Sequence, residues 1–156
     1  MKKLKFYAFT LFGASMLFST AGYAQTNVFD DVIAPSPNHT YLEAALIQEG
    51  LVGALQNPNA TLTVFAPDDQ AFTNLATALG TNVAGLLALP NLDDILLYHF
   101  LGTTVPSTAV TNGAIVQPLS PTNTLKITAT GAGKVYINQA QVTTVDLTAA
   151  NCVVHV

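Results

Sequence analysis

The chain has 156 residues, of which 50% are hydrophobic and 9% charged, and carries a formal net charge of −4. That length holds one domain with a sizeable core, and the charged share lies well below the roughly 25% of an average soluble protein. With five Lys and Arg against nine Asp and Glu, there is no basic footprint of the kind that binds nucleic acid by counterion release.

The first segment reads as a targeting signal. Lys2, Lys3 and Lys5 form a positive start, Phe6 to Thr20 is an uncharged apolar run, and Gly22 and Ala24 put small residues at the −3 and −1 positions. This pattern predicts a cleaved secretory signal over 1–24 with Gln25 as the mature start. The run is short for a membrane anchor, and no Cys stands at the junction for lipid attachment. The part from 25 to 156 keeps Lys126 and Lys134 against nine acidic residues, about −7 with His neutral. Anionic headgroups would repel it. The expectation is a protein that leaves the cytoplasm, with no membrane insertion after cleavage.

The first half of the remaining chain has helical periodicity. Val28, Phe29, Val32 and Ile33 make a short apolar face that ends at Pro35-Ser36-Pro37. Asn38 and Thr40 offer caps for a helix carrying Tyr41, Leu42, Ala45 and Leu46, and Gly50 is a plausible C-cap. Leu51 to Leu55 adds a further turn, stopped by Asn57-Pro58-Asn59. Leu62 to Ala66 is a short apolar β-type run ended by Pro67. Asp68 then predicts an N-cap, with Asp69 favoured by the helix dipole. Ala71, Phe72, Leu75, Ala76 and Leu79 continue as one apolar stripe. Asn82 to Leu89 is a short apolar segment, and Asn91 begins a predicted helix through Leu101 with Leu92, Ile95, Leu96, His99 and Phe100 near one face.

From Thr103 the composition turns to Thr, Val and Ile, with Pro and Gly as punctuation. Strands are predicted at 113–119, 125–130, 134–138, 142–145 and 153–156, with Thr130-Gly131-Ala132-Gly133 as a hairpin turn. Helices first and strands after predict an α+β domain, its helices segregated against a sheet or sandwich.

Few residues suggest chemistry. His39, His99 and His155 have no short ligand spacing, and a single cysteine, Cys152, gives neither a zinc framework nor an internal disulfide. Cys152 reads as a buried inert thiol, and His99, among Leu96, Leu97, Phe100 and Leu101, as a buried, hydrogen-bonded histidine. The pairs Asp30-Asp31, Asp68-Asp69 and Asp93-Asp94 each fall near a predicted helix start, where the dipole accounts for them. No D-x-D-x-D-G loop, G-x-S-x-G or phosphate loop is present, so no metal, cofactor or catalytic residue is expected. Asn38-His39-Thr40 and Asn59-Ala60-Thr61 fit the glycosylation sequon, but the leader has a bacterial look and chance accounts for both.

Three segments in order resemble the fasciclin (FAS1) domain: Thr63-Val64-Phe65-Ala66-Pro67 followed by Ala71-Phe72, then Tyr98-His99, then Asn151-Cys152-Val153-Val154-His155-Val156. The resemblance spans Val28 to Val156 and implies a wedge-like β-sandwich with a layer of short helices. It implies extracellular, non-catalytic adhesion to a cell-surface or matrix protein or polysaccharide. In animal members an Asp-Ile pair ahead of Tyr-His is associated with integrin-dependent adhesion. Asp94-Ile95 stands in that position, so Asp94, Ile95, Tyr98 and His99 are the candidate binding residues. Family members continue past the second histidine with I-D and an apolar strand, so truncation inside that strand is expected at Val156. Cys152 replaces the usual glycine. The alternative is a secreted enzyme or small-ligand binder with a pocket near His99. A polar pocket converging on His99 and a carboxylate would favour that alternative, whereas a filled apolar core would favour adhesion.

Overall fold

The computed structural model describes residues 27–130 and 134–156. The signal reading over 1–24 and turn residues 131–133 lie outside them. The helices are a π-helical turn (Phe29–Ile33), α1 (Thr40–Gln48), α2 (Val52–Leu55), α3 (Asp69–Ala78), α4 (Val83–Leu87) and α5 (Leu92–Leu97). Strand β1 (Thr63–Phe65) lies between α2 and α3. It is followed later by β2 (Phe100–Leu101), β3 (Ile115–Val116), β4 (Leu125–Ala129), β5 (Val135–Ile137), β6 (Ala140–Val142), β7 (Leu147–Ala149) and β8 (Cys152–His155). Two four-stranded sheets form, ordered β2-β1-β8-β7 and β3-β4-β5-β6. This is the α+β arrangement expected from the sequence.

Side-chain alternation decides how the layers meet. Val64, Phe100, Cys152 and Val154 join the core beneath the helices, with Leu42, Leu46, Phe72 and Leu96. Their neighbours Phe65 and Leu101 point to the other face and pack with Leu125 and Ile137 of the second sheet. Successive strand residues face opposite ways, so a sheet buried on both sides needs apolar residues at nearly every position, as in Thr63–Phe65. β1 pairs parallel with β8, Val64 opposite Val154, and antiparallel with β2.

The predicted helix over 91–101 ends early. Tyr98 is its C-cap, and Phe100–Leu101 is a strand on β1. Burial explains the change: Phe100 belongs to one core and Leu101 to the other, and only an extended chain puts adjacent residues on opposite faces. The predicted strand at 142–145 also shifts. Ile137 pairs with Ala140 across a two-residue turn whose Asn138 has φ +56°, so β6 runs from Ala140 to Val142. Thr143 and Thr144 instead donate their N–H groups to the Val156 carbonyl. Either side of 131–133, β4 and β5 pair antiparallel as expected.

Helix ends are partly as read. Asp68 caps α3, its Oδ1 accepting the Ala71 N–H at 2.7 Å. Gly50 follows α1 at φ +68°, with its N–H on Ile47 and the Leu51 N–H on Leu46, a Schellman closure. The N-cap of α1 is His39, not Asn38 or Thr40, and its side chain makes no capping bond. The α3 stripe is narrower than its periodicity suggests: Phe72 and Ala76 are buried, whereas Leu75 is 42% and Leu79 57% exposed.

Candidate functional site

The candidate residues converge where β1, α3 and the end of α5 meet. Pro67 stops β1 and Asp68 starts α3 within two residues. The Phe65 N–H donates to the His99 carbonyl at 2.9 Å, tying the end of α5 to the same strand. His99 Nδ1 lies 2.7 Å from the Ile95 carbonyl. A carbonyl only accepts, so Nδ1 carries the hydrogen and Nε2 is left as an acceptor. Burial lowers the His99 pKa below 6.5, the Ile95 carbonyl acting the other way, which keeps the ring neutral at pH 7.

Tyr98 fastens α5 to the second sheet. Its hydroxyl donates to the Thr124 carbonyl at 2.9 Å and accepts from Asn138 Nδ2 at 3.0 Å. Asn138 also exchanges bonds with Lys126, its backbone N–H donating to the Lys126 carbonyl and its Oδ1 accepting the Lys126 N–H. The Tyr98 and His99 rings stand edge-to-face, centroids 6.2 Å apart at 88°.

Two clefts flank His99. The larger, about 330 Å³, has Phe65, Tyr98, Leu125, Ile137, Val142 and His155 among its walls. The smaller, about 120 Å³, runs between α3, α4 and α5 past Phe72, Leu75, Leu86, Leu92 and Ile95. Pro67, Ala71 and His99 wall both. Tyr98, His99 and Ile95 are thus brought together along one line of clefts. Asp94 lines neither; it is exposed on α5, without a side-chain partner among the described residues. It lies one turn before the C-cap Tyr98, whose N–H donates to its carbonyl at 3.0 Å.

Sequence reading missed a polar cluster at the sandwich edge. Asp146 accepts the Ser107 N–H at 2.8 Å and, through its other oxygen, the Ser107 hydroxyl. His155 stacks on Phe65 with centroids 5.8 Å apart, its Nε2–H donating to the Val105 carbonyl and its Nδ1 accepting the Asp146 N–H at 3.3 Å. Ser, His and Asp are close, but the serine bonds the carboxylate and both histidine nitrogens bond backbone. That is not the order that activates a nucleophile, in which the base holds the hydroxyl proton. The three residues lie up to 48 positions apart with no shared motif, so no local signal could have joined them. His39, near the start of α3, takes Ser36 at Nδ1 at 2.6 Å, while its buried Nε2 has no hydrogen-bond partner among the described residues. Among the described residues no three His, Cys, Asp or Glu gather as a metal site.

The motif order, the two sheets and the helical layer agree with one family. The family model for the fasciclin domain matches residues 37–156. The chain belongs to the fasciclin family. It is 34% identical over 129 residues to the Synechocystis protein sll1483, an alignment covering 81% of this chain and 68% of that protein. Its fold is similar to a FAS1 domain pair from the insect cell adhesion molecule fasciclin I, with a TM-score of 0.63, 17% identity and 78% of this chain covered. The chain spans 46% of that pair, and at such identity the likeness concerns the fold. In this fasciclin domain Cys152 points into the helical core and donates its S–H to the Ala60 carbonyl at 3.2 Å. No described helix is long and apolar enough to cross a membrane.

Proposed function

We propose that the chain is a secreted, single fasciclin domain over 25–156 that works as a non-catalytic binding module, attaching to a cell-surface or matrix protein or polysaccharide through α5 and the turn after it, which carry Asp94, Ile95, Tyr98 and His99. The observation that carries this reading is the rigid presentation of Asp94. Its helix is pinned at one end by the two Tyr98 hydroxyl bonds and the Phe65–His99 backbone bond, while the carboxylate is exposed and has no side-chain partner among the described residues. A charge held on a fixed frame loses little conformational freedom on binding. Support comes also from the similar FAS1 pair, which belongs to a cell adhesion molecule, and from the leader pattern over 1–24. Ser107, Asp146 and His155 are committed to structural bonds, which favours binding over catalysis.

The test compares retention of wild type and Asp94→Ala on cells or matrix, beside their thermal unfolding. The reading expects retention to fall with the melting temperature unchanged, because an exposed, unpaired carboxylate adds little to stability. Equal retention removes Asp94 from the binding face.

A further inference from the structure

The larger cleft is more than a gap between layers. Its walls are mainly apolar and aromatic, and Tyr98, Asn138, Thr143 and His155 each bond within the fold, while the exposed Gln139 and Gln141 stand at its rim. His99 Nε2 differs. The Ile95 carbonyl fixes the tautomer and leaves that nitrogen an acceptor without a partner among the described residues. Among the described residues His39 Nε2 is the buried side-chain atom that is both unpaired and sealed off, so His99 Nε2 is within reach of solvent. Further acceptors on the wall are the Asp68 carboxylate, of which Oδ1 takes the Ala71 N–H, and the amide oxygens of Gln139 and Gln141 at its rim. Among the described residues no Lys or Arg lines the cleft.

We infer that this cleft is a binding site for a small apolar molecule bearing a hydroxyl or amine, whose body lies against Phe65, Tyr98 and Ile137 and whose donor hydrogen is taken by His99 Nε2. The size is suitable: a dry cavity of about 150 Å³ admits benzene, and 330 Å³ falls at the low end of the roughly 300–1,000 Å³ of ligand sites. A two-ring molecule fits that space. An anionic ligand meets the Asp68 charge with no cation among the lining residues and only the amide hydrogens of Gln139 and Gln141 to offset it. The cleft shares Tyr98 and His99 with the proposed adhesive face but not Asp94, so Asp94→Ala tests that reading and leaves this site in place.

The probe is 2-naphthol, titrated calorimetrically into the whole chain, with 2-methoxynaphthalene as a partner of the same shape that has no donor hydrogen. Saturable one-to-one binding is expected, with the naphthol on the order of tenfold tighter, the size of one net neutral hydrogen bond. In His99→Phe the two probes converge. Ala71→Leu fills the wall common to both clefts from an exposed helical position and weakens both probes; it carries the test should His99→Phe fail to fold. No saturable binding, equal affinities in the wild type, or indifference to Ala71→Leu each overturns the proposal. So does loss of binding when the chain is extended past Val156 by the I-D-type strand expected of the family, because polypeptide would then own the cleft.

Discussion

Asp69 of α3 caps a different helix, α1: its Oδ1 accepts the Tyr41 N–H at 2.9 Å and its Oδ2 the Thr40 hydroxyl at 2.7 Å. The return bond runs close by, from the Asp69 N–H to the Asn38 carbonyl at 2.8 Å. Two neighbouring carboxylates thus start two helices, Asp68 its own and Asp69 one that lies 29 residues earlier. Asp69→Ala is expected to cost about 1–2 kcal/mol, the upper range for a lost cap, because it orphans a helix-start N–H and frees the α1–α3 contact together. Asp69→Asn keeps one acceptor and should fall between. Urea midpoints of the three proteins check this, and an Asp69→Ala midpoint equal to wild type would show that α1 is capped by water.

The outer face of α3 gives a sharper contrast. Phe72 is 6% exposed and meets Tyr41 edge-on at 6.1 Å, whereas Leu79 is 57% exposed. Phe72→Ala is expected to lose about 3–5 kcal/mol, and Leu79→Ala to stay within about 0.5 kcal/mol of wild type. A large loss at Leu79 would mean that a partner surface covers the end of α3.

These two helices also mark how far the sequence was legible. Local signals that act within one turn were readable: Pro67 as a stop, Asp68 as a cap, Gly50 as a left-handed closure. Leu75 and Leu79 satisfied the helical period equally well, but period says which residues share a stripe and not how wide the covering layer is. Phe100 and Leu101 continued a helical pattern until two cores on opposite sides of one strand claimed them. At the site, Tyr98-His99 was visible as a motif. The partners that fix it, Asn138 and Thr124, were not, because a hairpin with Asn-Gln lacks the Asn-Gly signal and the contact spans 40 residues.

Cys152 supplies a probe of global stability. It is 3% exposed, packed in the helical core, and its thiol is bonded to Ala60. A disulfide-type reagent reaches it only when β8 leaves the sheet. With stability of about 5 kcal/mol or more, labelling of the native protein should run at least 10³-fold slower than in denaturant, and air oxidation should give no covalent dimer. Rapid labelling in native buffer would place the thiol at the surface.

Acid should weaken the fold in two separate windows. Burial is the largest cause lowering both His39 and His99 below the ordinary 6.5; at His39 the charges of Asp68 and Asp69 and the Ala66 backbone pull back upward. A histidine with a lowered folded pKa binds fewer protons folded than unfolded. Stability is therefore full above about 6.5, declines as pH falls from there through the folded values, and levels below them. Asp146 is held below 3.8 by the Ser107 hydroxyl first, then by the Ser107 N–H, with His155 adding charge attraction against a small desolvation cost. Its contribution is present above 3.8 and is lost as pH falls through the folded value. Relief of repulsion among the nine acidic residues works in the opposite direction, but only once carboxylates protonate, near pH 4. The interval from about 6.5 to 5.5 thus isolates the histidines. Urea midpoints there should fall on acidification, and less steeply in His99→Phe. Ser107→Ala should leave that interval unchanged and flatten the later decline below about pH 3.8. A midpoint that rises between pH 6.5 and 5.5 would mean that the folded protein takes up the protons, and that His39 and His99 gain a partner for their charge.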